Sequence, residues 1–81
     1  MHTPETVRKG KRYLFPNPAP KGPLDPTNDG FIEVIVAEIF EDRRELYVRL
    51  ESEAGALEET PHISDFCADV NISELMAARP A

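Results

Sequence analysis

The pattern of apolar and polar positions is centred on Phe31 to Glu51, FIEVIVAEIFEDRRELYVRLE. A long apolar run leads into a charged knot, and strict alternation follows. Val, Ile, Phe and Tyr fill both arms, and such residues fit a pleated, half-buried surface. The pattern predicts a β-hairpin, opened by the turn cluster Asn28-Asp29-Gly30 and with Asp42-Arg43 at its tip. Pairing Glu41 with Arg44 across that tip sets Ile39 opposite Leu46, Ala37 opposite Val48 and Ile35 opposite Leu50. Side chains alternate along a strand with period two, so Ile35, Ala37, Ile39, Leu46, Val48 and Leu50 form the expected core face. Glu45, Tyr47, Arg49 and Glu51 then face water.

The first arm does not alternate as cleanly. Its other face carries Ile32, Val34, Val36 and Phe40, broken by Glu38. A strand that is apolar on both faces is usually covered on both. A second element of the chain, or a partner, is therefore expected over Ile32, Val34 and Val36. A lone hairpin is marginal in water, so further strands should pair with it. Glu, Leu, Ala and Arg also suit a helix over 33–50. The β-branched density of 31–40 and the missing N-cap argue against that reading.

Around the hairpin the chain reads as short elements. Residues 1–6 are expected to fray. A first strand begins near Gly10, with Tyr13 and Phe15 on one face and Leu14 on the other. Residues 16–30, PNPAPKGPLDPTNDG, hold five of the eight prolines and form a stiff loop with polyproline II character. Residues 52–56 are a turn, and 57–63 a loop or short edge strand limited by Pro61. Residues 64–72 have two readings. As a strand, Phe66, Ala68, Val70 and Ile72 alternate with Cys67, Asp69 and Asn71. As a helix capped by Ser64, Ile63, Phe66, Cys67 and Val70 share a face at i, i+3, i+4 and i+7. The alternation and its β-branched residues favour the strand. A short helix then runs from Glu74 to Arg79, capped by Ser73, with Leu75 and Met76 packing back on the sheet.

Composition narrows this picture. At 81 residues the chain is expected to be one domain with a thin core, which leaves little room for a pocket walled off from water. No run approaches the roughly 20 apolar residues of a membrane span, and the N-terminus lacks the apolar stretch of a secretory signal. Cys67 is the only cysteine, so no internal disulfide forms, and a reducing, cytoplasmic setting is the default expectation. The net charge of −6 is unevenly spread: Arg8, Lys9, Lys11, Arg12 and Lys21 fall in the first 22 residues, against Glu5 alone. The acidic remainder disfavours general nucleic-acid binding, where phosphate contacts dominate affinity. It favours docking on a basic surface.

Candidate chemistry is thin. Cys67 with His62 and an Asp would make an activated thiolate pair, but no signature surrounds the cysteine, and a buried apolar role suits it better. One cysteine and two distant histidines do not make a zinc site. Asp25 to Gly30 matches the calcium-loop pattern only in part, with Thr27 and Pro26 out of place and Val36 where a bidentate Glu belongs. No cofactor is implied. Pro20 to Pro23 forms a P-x-x-P that could dock an aromatic groove, a weak signal in any proline-rich loop.

The fold class is thus mainly β, a β-rich α+β protein. It is either a small antiparallel sheet or, by fold-level analogy alone, an SH3-like, partly open barrel, with the central hairpin 31–51 and a short C-terminal helix. The leading functional expectation is a non-enzymatic protein-binding module, of the inhibitor or accessory type that phages and mobile elements encode. Its docking residues would be Glu38, Phe40, Glu45, Tyr47, Arg49, Glu51 and Glu53, since aromatic and arginine anchors amid charge are what an interface offers. One alternative is a nucleic-acid-binding module using Arg8, Lys9, Lys11, Arg12, Tyr13 and the ring of Phe15. A second is an obligate homodimer that covers the apolar strand.

Overall fold

A computed structural model describes residues 1–16 and 30–78. The proline-rich loop, its P-x-x-P and most of the partial calcium pattern lie outside the described residues. Four antiparallel strands form one open sheet in the order β1-β2-β3-β4: β1 (Arg12–Pro16), β2 (Phe31–Asp42), β3 (Glu45–Ser52) and β4 (Gly55–Ala56). One helix, α1 (Ile63–Ala77), packs on one face. Of the two architectures expected, the open sheet is the one observed. β1 and β4 are the outer strands of the sheet order and do not pair with each other, so among the described residues no barrel closes.

The hairpin forms where the alternation places it, but its register slides. The tip is Arg43-Arg44, flanked by the pair Asp42 and Glu45, not Asp42-Arg43. Both arginines have positive φ, 51° and 68°, as a type I′ turn requires. Ile39 consequently faces Val48 rather than Leu46, and Phe40 faces Tyr47. A slide of two residues preserves which side chains share a face, so the distal alternation survives the error.

A bulge changes the proximal half. Glu38 pairs with Arg49 and Val36 with Leu50, which leaves Ala37 as an extra residue on β2. An extra residue shifts the alternation by one and turns the strand over. Before Ala37 the even positions point to the helix, and Val34 and Val36 are wholly buried. After it the odd position Ile39 joins them at the core's margin. The apparent two-faced strand is therefore a one-faced strand with a phase change. The expected core face is corrected accordingly. Val48 and Leu50 are buried, but Ile35 lies half-buried on the opposite face, Ala37 is the bulge, and Leu46 is 43% exposed.

The second correction is α1. Residues 64–72 are helical, continuous with the expected short helix. Ile63, Phe66, Cys67, Val70 and Ser73 are its buried residues, a stripe of helical period. Strand alternation would have grouped Ala68 and Ile72 with Phe66, yet both are exposed. The cap is His62, whose Nδ1 accepts the Ser64 N–H at 3.1 Å, rather than the Ser64 side chain. Leu75 and Met76 do not pack on the sheet; they are 69% and 52% exposed.

The core lies between α1 and the sheet. Phe66 sits at its centre, edge-on to Tyr13 at 5.2 Å and stacked on Phe15 at 5.7 Å, with Val34, Val36, Val48, Leu50 and Val70 around it. The N-terminus closes one end. Residues 1–6, expected to fray, are docked instead. The His2 N–H donates to Asn71 Oδ1 at 2.7 Å, and Asn71 Nδ2 donates back to His2 O at 2.9 Å. A 3₁₀ turn at Pro4–Thr6 then delivers Val7 to the core, where it is 2% exposed. Gly10, in a left-handed turn with φ of +85°, lets its N–H reach Val36 O at 2.8 Å, one residue before the bulge.

Candidate functional site

With α1 on one face, the other face of the sheet is left to the outward-pointing residues. The bulge at Ala37 decides which they are. Beyond it, Glu38, Phe40 and Asp42 of β2 stand opposite Arg49, Tyr47 and Glu45 of β3. Before it, Glu33 and Ile35 stand opposite Leu14 and Arg12 of β1.

These side chains are organised. The Phe40 and Tyr47 rings stack across the strands, 5.8 Å apart and 24° from parallel. The Arg49 guanidinium lies over Phe40, 5.3 Å from the ring centre, and 3.4 Å from Glu38 Oε2. Tyr47 donates its hydroxyl to Glu45 Oε2 at 3.3 Å. Burial and the Glu45 carboxylate together push the Tyr47 phenol above its ordinary value, so it stays protonated and keeps donating. Ion pairs as exposed as Arg49–Glu38 and Arg12–Glu33 (3.3 Å) contribute little stability. Their effect is to hold guanidinium and carboxylate in fixed places. A shallow open depression of about 170 Å³ adjoins the ladder, lined by Arg12, Glu33, Ile35, Glu51, Ser52 and Glu53.

The docking residues expected from the sequence thus fall in two connected groups. Glu38, Phe40, Glu45, Tyr47 and Arg49 form the aromatic ladder, and Glu51 and Glu53 border the depression. One participant was not anticipated there. His62 pairs with Tyr47 as an isolated antiparallel bridge, sets its ring edge-on to the tyrosine at 5.5 Å, and brings Nε2 to 3.9 Å from Glu45 Oε2. Pro61, which the sequence marks only as the limit of an edge element, delivers its carbonyl to the Val48 N–H and brings the chain to the helix.

The other candidate sites do not assemble. Tyr13 and Phe15 are each 3% exposed and packed on Phe66, so neither ring offers a platform on which a base could stack. Arg8 donates to the carbonyls of Glu5 and Val7, and Arg12 pairs with Glu33, while Lys11 lies over the Tyr13 ring at 5.7 Å. Lys9 is exposed. Cys67 is buried in the core, and burial, with Glu5 adding to it, pushes its thiol up, away from the thiolate a nucleophile needs. His62, its conceivable base, turns its ring to Tyr47 and Glu45. The apolar face that suggested a homodimer is covered by α1 of the same chain.

Among the described residues, no group of three or more His, Cys, Asp or Glu side chains is placed to hold a metal ion. Among them, too, no helix is long and apolar enough to cross a membrane. Compared with protein-family models, with curated proteins and with solved structures, the chain finds no match.

Proposed function

We propose that this chain is a non-enzymatic protein-binding module, of inhibitor or accessory type, that lays the outer face of its sheet on a basic site of a larger partner. The observation that supports the reading most is the Phe40–Tyr47 stack, overlaid by Arg49 and bordered by Glu38, Glu45 and Glu51 on the face α1 leaves uncovered. Aromatic rings supply contact area at little conformational cost, and arginine and tyrosine dominate binding hot spots. The carboxylates supply the sign: Glu33, Glu38, Asp42, Glu45 and Glu51 outnumber Arg12 and Arg49 on this face. A basic partner is steered toward such a surface and registered on it.

The test begins with recovery of the partner from the native host. Wild type and a triple variant, Glu45→Lys, Glu51→Lys and Glu53→Lys, are then titrated against it over a range of salt. These side chains are exposed, so the variant should fold. Its affinity is expected to fall at least about tenfold at low salt, with the difference shrinking as salt screens the charges. Equal affinity at every salt concentration would remove the acidic face from the interface.

A further inference from the structure

His62 belongs to two structures at once. On the helix side, its Nδ1 accepts the Ser64 N–H at 3.1 Å and caps α1. On the sheet side, its ring meets Tyr47, and its Nε2 lies 3.9 Å from Glu45 Oε2. An Nδ1 that accepts a hydrogen bond carries no proton, so the neutral ring bears its single hydrogen on Nε2, toward Glu45. Imidazole is the side chain that changes charge in the physiological range. The second proton can go only to Nδ1, where the Ser64 N–H already points.

We infer that His62 is an acid-operated latch on the outer sheet face: its protonation breaks the cap of α1 and places a cation against Glu45, weakening the hold on a basic partner. The inference rests on the docking role proposed above, and it names how that surface is regulated. Two groups of β3 face the ring, the Glu45 carboxylate and the edge-on Tyr47. On its own element the ring stands at the N-terminus of α1, whose first turn carries Asp65. The sign follows from the geometry. The cap needs unprotonated Nδ1, so it is present while the ring is neutral and lost when acid protonates it. The same proton sets a positive charge beside Glu45, and the face becomes less acidic.

The latch is read first in the free protein, by NMR titration of the Ser64 amide and the His62 ring. The Ser64 amide is expected to shift with the same midpoint as the ring. An amide that stays still while the ring titrates overturns the inference. His62→Asn retains a good capping acceptor but does not titrate. In it the Ser64 amide should not move across the titration. Binding is read with an octa-arginine peptide as probe. Wild type is expected to bind it about two- to fivefold more weakly at pH 5.5 than at pH 7.5, the scale of one exposed charge pair. His62→Asn should show no such loss, and an equal loss in both proteins overturns the regulatory role. Absence of binding by either protein at both pH values sinks the docking reading itself, while the amide titration still decides the latch.

Discussion

Ser73 is the residue where the core is least satisfied. It continues the buried stripe of α1, is wholly inaccessible, and its hydroxyl has no hydrogen-bond partner among the described residues. A buried donor left unmade costs roughly 1–3 kcal/mol, whereas a methyl in its place costs nothing of that kind. Ser73→Ala, which also favours helix, is therefore expected to stabilise the protein by about 1 kcal/mol. A rightward shift of the urea midpoint with an unchanged slope is the expected result. Residues of this kind were hard to read from sequence. Ser73 looked like a helix cap because serine caps helices, and only the stripe Ile63, Phe66, Cys67, Val70 places it inside. Tyr13 shows the same effect. A basic stretch with aromatic rings resembles a nucleic-acid patch until Phe66, more than fifty positions away, takes the rings.

Among the elements, the hairpin was legible and its irregularities were not. β-branched density marks β2, and strict alternation marks β3. The bulge hides because skipping one residue makes a half-buried strand look buried on both sides. The tip hides because Arg43 and Arg44 are poor advertisements for a type I′ turn, where Asn-Gly is the usual signature. Each arginine holds a left-handed backbone that costs L-residues roughly 1–2 kcal/mol. The double variant Arg43→Asn and Arg44→Gly is accordingly expected to raise stability by about 1–2 kcal/mol, measured by thermal and chemical denaturation with the β2–β3 register intact. No gain would mean that the strain is relieved elsewhere in the turn. For α1, residues 66, 68, 70 and 72 satisfied a strand while residues 63, 66, 67 and 70 satisfied a helix. Tertiary packing settled the matter through Phe66 and Val70.

At the level of the whole molecule, the N-terminal segment is tied to α1. His2 exchanges two backbone–side-chain bonds with Asn71, and its ring adds a contact to Glu74 (2.8 Å) and an edge-on contact to Tyr13 (5.1 Å). The sequence separation of 69 residues makes this a closing contact for the fold. Removing it should loosen both segments together. In Asn71→Ala, hydrogen exchange is expected to quicken in residues 2–7 and in the last turns of α1, with a global loss of about 1–2 kcal/mol. Faster exchange confined to residues 2–7 would show that the helix does not depend on the clasp. The candidate site was more legible than the clasp. Strict alternation along β3 fixes Glu45, Tyr47 and Arg49 to one face without any tertiary information, whereas the partners of His2 and His62 are contacts between distant segments.

The bulge at Ala37 also sets which mutations this protein tolerates. Substitutions along β2 act one side chain at a time, and a conservative exchange at Ile35 or Phe40 leaves its neighbours where they were. A change in length at the bulge need not disturb them either. Val36 pairs with Leu50 and Glu38 with Arg49, so loss of Ala37 would make these consecutive pairs of a regular ladder. Val36 and Ile39 would still point to the helix, and Glu38 and Phe40 would still point outward. For this chain, position 37 is a place where the length of β2 can change without exchanging core for docking face.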